Sequence, residues 1–261
     1  MSLPTVSNHS TTPHHEADDP VVLFEDVSVE YRIPHERVRT LKEYAIRRLK
    51  GRIQYQKFLA LKEASFRVQQ GEIFGLIGSN GAGKSTALKL VARVLRPSHG
   101  RVRVRGRVAP LLAMGAGFHP ELTGRENVFL NATLLGFTRR EIEKRFNAIV
   151  DFAELWDFID APLRTYSSGM ITRLGFAVAS DQMPDLLIID EVLAVGDASF
   201  QEKSLNRILS FQEKGATTLF VSHSMAQVRS MCHRVLWLDH GVVRFIGNTK
   251  EGVDMYLEHV K

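Results

Sequence analysis

The chain is short of the residue that staples small secreted domains: it has one cysteine, Cys232, in 261 residues. A single thiol excludes an internal disulfide framework and fits a reducing cytosol. Long apolar runs are missing as well, and none approaches the ~20 residues that a membrane-spanning helix requires. The first 20 residues, rich in His, Ser, Thr and Pro, contain no apolar segment that would read as a secretory signal. They are expected to form a disordered polar tail over residues 1–20, in which His14 and His15 lack companion ligands for a metal. Sustained heptads are absent, which excludes a long coiled coil. Strong charge of one sign is lacking too. The 34 Lys and Arg stand against 29 Asp and Glu, a net +5, which permits an anionic partner surface without identifying one. The remainder, 44% apolar and 24% charged, has an ordinary globular profile with ample length for a core.

What the chain does have is a phosphate loop. Gly78-Ser79-Asn80-Gly81-Ala82-Gly83-Lys84-Ser85-Thr86 fits G-x-x-x-x-G-K-S/T, and its flanks agree with it. Residues 72–77 read as a short buried strand, and residues 87–94 as a helix with Leu88, Val91, Ala92 and Leu95 on its apolar positions. That strand–loop–helix context is what a phosphate cradle requires. The glycines let successive N–H groups turn toward the anion, and the helix dipole sits beneath it. Lys84 is expected to reach the β- and γ-phosphates and Ser85 to ligate Mg²⁺.

The rest of the chain arranges itself around this loop. Residues 21–31 and 58–68 alternate as strands. Between them, residues 34–57 form a basic insert with Val38, Leu41, Ala45 and Leu49 on one helical face and Arg37, Arg39, Lys42, Arg47, Arg48, Lys50, Arg52 and Lys57 around it. Such a helix either packs its apolar stripe on the core or lies against an anionic membrane surface or a partner there. Residues 101–108 alternate Arg and Val, which predicts one strand with four arginines on one face, an edge strand kept soluble by charge. A capping box at Thr123 and Glu126 opens a compact helical block, which ends at Tyr166-Ser167-Ser168-Gly169-Met170 with Ser167 as the N-cap of a further helix.

Two strand ends complete the candidate site. Leu186-Leu187-Ile188-Ile189-Asp190-Glu191 is a buried strand ending in two carboxylates. Beside the phosphate loop, Asp190 is expected to hold Mg²⁺ through water and Glu191 to polarise the attacking water. Residues 217–221 are a third buried strand, and His223 just past its end is placed to contact the γ-phosphate at the ligand-binding edge of a parallel sheet.

Together these residues resemble the ATP-binding subunit of an ABC transporter over about residues 21–261. The discriminating element is Tyr166–Met170, which is similar to the L-S-G-G-Q signature but departs from it at three of five positions, keeping Ser167 and Gly169. The resemblance implies a P-loop, RecA-like α/β nucleotide-binding domain with an antiparallel β subdomain and a helical subdomain inserted at about 121–182. It implies a γ-phosphate contact from the Ser167 hydroxyl and the Gly169 N–H, a matching Asp197 after the catalytic glutamate, His223 as the switch histidine, and Tyr31 as the aromatic that stacks on adenine. On this basis Lys84, Glu191 and His223 are the expected catalytic residues, and ATP and Mg²⁺ the cofactors.

Three runs resemble one subgroup, the exporters of O-antigen, teichoic acid and related glycans: Tyr166–Met170, the run from Glu191 to Ala198, and the run from Gly115 to Asn127. The insert fits that subgroup's gate helix. One departure is that the loop between Val108 and His119 has no Gln where most ABC ATPases place a Mg²⁺-sensing one. The chain, ending at Lys261, is also expected to lack the C-terminal carbohydrate-binding domain of some members. The implied protein is a homodimeric motor, peripheral at the cytoplasmic face of the cell membrane, working with a separate polytopic permease on a lipid-linked glycan, with no nucleic-acid partner. The alternatives are an ATPase of another transporter type, or a soluble ABC ATPase acting on nucleic acid.

Overall fold

Apolar alternation along the chain resolves into two sheets that share one layer of side chains. The computed structural model describes residues 19–34, 55–111, 117–190 and 197–260. The first sheet is antiparallel, in the order β2-β1-β4, built from β1 (Val22–Pro34), β2 (Tyr55–Val68) and β4 (His99–Val104). The second holds β3 (Ile73–Ile77), β5 (Val108–Pro110), β6 (Leu186–Asp190), β7 (Thr217–Val221), β8 (Arg234–Asp239) and β9 (Val242–Asn248), in the order β5-β6-β7-β3-β8-β9. Its pairings are parallel except β8–β9, a hairpin.

The central strands are buried on both faces, and period-two geometry sorts their residues into two cores. Phe74, Leu76, Leu186, Ile188, Leu219, Val221, Leu236 and Leu238 face the antiparallel sheet and helix α1 (Lys84–Val91). Leu187, Ile189, Phe220, Val235 and Trp237 face the other way, into a core shared with the helical block. That block contains α2 (Gly124–Leu134), α3 (Arg139–Ala153) and α4 (Ser168–Ala179). Helices α5 (Ala198–Glu213), α6 (Met225–Met231) and α7 (Thr249–Val260) complete the α-helices among the described residues.

Capping decides where the helical block begins. Thr123 with Glu126, and Thr138 with Glu141, each form a reciprocal box at the start of α2 and α3, which satisfies N–H groups that would otherwise have no partner. Bonds from threonine hold both glutamate carboxyls below the usual carboxylate range.

The structure changes two sequence expectations. Strand pairing continues as far as Pro34 opposite Tyr55, so the ends of the expected 34–57 insert belong to β1 and β2, and the helix expected within it lies outside the described residues. The 101–108 run is not one strand. It breaks at Gly106, where φ is +74°, and Val108 pairs in parallel with Leu186 of the other sheet. The row of four arginines therefore splits. Arg101, Arg103 and Arg105 stay exposed, on or just past the edge strand β4, with Arg103 paired to Glu25 and Arg105 to Asp19. Arg107 turns inward, its N–H donating to Asp185 at 2.7 Å and its guanidinium lying over Phe137.

Gly106 is the joint between the two sheets. A Cβ there would stand 2.5 Å from Asp185 Oδ2, the atom that accepts from Arg107. Gly106→Ala should therefore destabilise the fold by more than the ~1–2 kcal/mol that a left-handed non-glycine residue costs alone. Denaturant unfolding with an unchanged midpoint would show that the joint relaxes without strain.

Candidate nucleotide site

The loop between β3 and α1 is wedged between the two sheets. At Gly78, φ is +145° and a Cβ would stand 2.2 Å from the Leu238 carbonyl oxygen; at Gly83, φ is +110° and a Cβ would stand 2.7 Å from that of Ala60. Only glycine lets the chain pass both places. The β8–β9 turn grips the same loop: Gly241 N–H donates to Ala82 O at 2.9 Å, and Lys62 N–H of β2 donates to Gly241 O at 2.8 Å. Arg244 fixes that turn through Asp239, at 3.0 Å.

Lys84 opens α1 and folds back over the loop, its Nζ donating to Gly78 O at 2.6 Å and Ser79 O at 3.0 Å. Burial lowers its pKa, and Asp190 opposes the shift. The N-cap of α1 is Gly83, which offers no side-chain acceptor, so the first amides of the helix are available to an anion.

These groups surround a cavity of about 370 Å³. Asn80, Gly81, Ala82, Gly83, Lys84, Ser85 and Thr86 line one wall; Asp190 and His223, from the ends of β6 and β7, line another; Phe58 and Ala60 of β2 form a third. At Gly81 an added Cβ would meet nothing within 4 Å, so the loop crest is open to a ligand. Ser85 and Asp190 supply a hydroxyl and a carboxylate, the hard oxygen donors that suit Mg²⁺ when substrate phosphates complete its shell. Burial raises the Asp190 carboxyl above its ordinary range, against the pull of Lys84 and His223.

The sequence candidates divide at this point. Gly78, Ser79, Asn80, Gly81, Ala82, Gly83, Lys84, Ser85 and Thr86 form the loop as expected, and Asp190 and His223 meet it across the cavity. Tyr31 lies directly opposite Phe58 in the β1–β2 ladder, and it is Phe58 that lines the cavity, with half of its surface exposed. Nothing in a single strand's pattern distinguishes the two, because the register depends on pairing across the insert. Ser167 and Gly169 are not among the lining residues; Ser167 caps α4, its hydroxyl accepting from Met170 N–H at 3.2 Å. Asp197 caps α5, accepting from Phe200 N–H at 2.9 Å. Arg173 of α4, which sequence reasoning passed over, reaches Asp197 at 3.7 Å and also pairs with Glu154. Glu191 lies outside the described residues.

Residues 61–194 match the family model described as ABC transporter. The chain belongs to the ABC transporter family. It is an ATP-binding ATPase of that family, 50% identical over 244 residues to the O-antigen export system ATP-binding protein RfbB of Klebsiella pneumoniae, covering 91% of this chain and 98% of the relative. It is 42% identical to the teichoic acids export ATP-binding protein TagH of Bacillus anthracis, over 92% of this chain and 43% of that one. Among solved structures, an ATP-binding subunit of an ABC transporter superposes with a TM-score of 0.69 at 24% identity, covering 92% of this chain and all of that one.

The raised Asp190 carboxyl has a consequence for stability. A folded pKa above the unfolded value contributes stability that is full below the unfolded pKa and lost as pH rises through the folded one. At neutral pH the ionised Asp190 therefore weighs against the ligand-free fold. Asp190→Asn should leave thermal stability without ligand equal or higher at pH 7, while the extra stability gained from Mg²⁺ and ATP falls. A marked drop in the ligand-free melting temperature would contradict that sign.

Proposed function

We propose that this chain is the ATP-hydrolysing motor of an exporter that moves a lipid-linked polysaccharide across the cytoplasmic membrane with a separate permease. The observation that carries the motor is the meeting of Asn80–Thr86 of the phosphate loop, Asp190 and His223 on one cavity. The export role rests on the full-length likeness to the O-antigen export protein. Among the described residues no helix is long and apolar enough to cross a membrane, which accords with a peripheral subunit at the cytoplasmic face.

In this reading the loop amides and Lys84 bind the β- and γ-phosphates, and Ser85 and Asp190 would hold Mg²⁺, which would supply charge neutralisation on the phosphates. Glu191, one residue beyond Asp190, orients and deprotonates the attacking water, and His223 contacts the γ-phosphate from the end of β7. Asp197, the cap of α5, is read with the residues that serve the nucleotide. Ser167 and Gly169 stand outside their own chain's cavity on an exposed helix start, so their γ-phosphate contact is made to the nucleotide of a second copy. The working unit is then a homodimer that closes on ATP. The decisive test is reconstitution: chain and permease together in vesicles should couple Mg²⁺-dependent ATP hydrolysis to movement of the glycan lipid, and hydrolysis without movement would remove the export role.

Two variants probe the chemistry. Glu191→Gln retains ATP binding but loses the base, so turnover should fall by ~10²-fold or more, and ATP should trap a dimer in sizing experiments. Adding Ser167→Arg should return that protein to monomer; an unchanged dimer would mean that each site is complete within one chain.

Phe58 and Tyr31, side by side on one face of the ladder, provide the aromatic surface for the base, with Phe58 as the face toward the ligand. Stacking on an aromatic ring contributes ~1–3 kcal/mol per base, so Phe58→Ala should weaken ATP binding roughly tenfold and leave inorganic tripolyphosphate binding unchanged. Equal losses for both ligands would place Phe58 in support of the phosphate loop instead.

A further inference from the structure

Tyr166 stands where the family signature has leucine, and the structure gives its hydroxyl a specific task. The side chain is buried, and its hydroxyl donates to Phe158 O at 2.6 Å. It fills a socket over Gly124, where an added Cβ would stand 2.3 Å from that hydroxyl oxygen. Burial first, and Asp160 second, push the phenol up to about 12, so the donor is present throughout the physiological range.

The socket belongs to a larger joint. Backbone hydrogen bonds zip the segment leading into α2 onto the segment leading into α4: Arg164 N–H to Pro120 O at 2.9 Å, Leu163 N–H to Leu122 O at 2.9 Å, Gly124 N–H to Ala161 O at 3.1 Å, and Arg125 N–H to Ile159 O at 2.8 Å. Arg125 adds a two-pronged pair with Asp160, at 2.7 and 3.1 Å. Buried Asn127 clamps the near side, donating to His119, Leu122 and Thr123 carbonyls and accepting from His119 N–H. Tyr166 is the last buried residue before Ser167 and Ser168, both exposed.

We infer that the Tyr166 hydroxyl is a positioning group that ties the exposed start of α4 to the Phe158 carbonyl, at the edge of the stretch zipped onto Pro120–Arg125, and so sets Ser167 and Gly169 for the nucleotide of a second copy. The inference rests on the shared-site reading given above. A merely space-filling ring would serve equally well without its hydroxyl. A tether one residue before the phosphate-facing N-cap would not, since small rotations there move Ser167 directly.

The test separates binding by one chain from closure of two. The full chain is titrated with a fluorescent ATP for binding, and with the non-hydrolysable β,γ-imido analogue for dimerisation by sizing. Tyr166→Phe should bind nucleotide as wild type does. It should require roughly fivefold more analogue for half-dimerisation, the shift that one ordinary hydrogen bond carries. Gly124→Ala should shift closure in the same direction, because its Cβ strikes the hydroxyl. In the double variant the closest clash is relieved while the Ile159 contacts at 3.0 and 3.1 Å remain, so the loss of closure should be smaller than the sum of the two single losses, a non-additivity that marks the shared hydroxyl contact. Dimerisation of Tyr166→Phe at the wild-type analogue concentration overturns the inference, as does parallel loss of binding and closure, which would mark a general structural role. A wild-type chain that never dimerises removes the shared-site reading itself, and this inference with it.

Discussion

The position of the phosphate loop depends on a close backbone contact, the passage of Gly78 under the Leu238 carbonyl. Strand β8 neighbours β3 in the sheet, so the loop leaves its own strand and passes at once beneath the end of the next. The β8–β9 turn then bonds Ala82 on one side and Lys62 on the other. The antiparallel sheet, the parallel sheet and the loop are thereby held at one point. A cradle of backbone amides is useful only if its curvature is set before the anion arrives, and here three separate elements set it.

The electrostatics of the cavity follow from that confinement. Lys84 and Asp190 are both partly desolvated, and each is pushed toward its neutral form by burial while the other pulls it back. Lys84 meanwhile occupies its donors on Gly78 and Ser79 carbonyls. A triphosphate with its metal ion would supply Lys84 with anionic acceptors and Asp190 with a cation, the two things that burial denies them. The ligand-free arrangement thus retains charges whose compensation arrives with the substrate, an expected trade between stability and activity at a binding site.

How much of this was legible depended on whether the governing contact was local. The phosphate loop, the buried strands ending at Asp190 and Val221, and the Thr123 and Ser167 caps are written in a few adjacent residues, and the structure contains each. The Arg-Val alternation from Arg101 to Val108 was misleading for the opposite reason. Its period continues through Gly106, but the chain there takes a φ of +74° because Asp185, almost 80 residues later, fits only against a glycine. The Tyr31–Phe58 pairing is likewise a matter of register across the insert, and no pattern within either strand announces which ring meets the cavity. Arg173 was passed over because an arginine on an amphipathic helix usually reads as solvated surface; its partners Glu154 and Asp197 lie on either side of it in sequence and meet it only in the fold.

The division between the two cores gives the proposed action through assembly a physical basis. One core packs α1 and the phosphate loop between the sheets; the other joins the opposite sheet face to the helical block that carries Ser167. Ion pairs and zipped backbone segments tie the block's own parts to one another, from Arg125–Asp160 to Arg173–Glu154. Those ties set where the start of α4 points, and Ser167 does not line its own chain's cavity, which is formed beside the other core. A group held firmly away from its own ligand is suited to meeting another copy's. In the proposed homodimer, closure of two chains would present each nucleotide with a phosphate loop from one side and a capped helix start from the other, so that hydrolysis would wait on assembly.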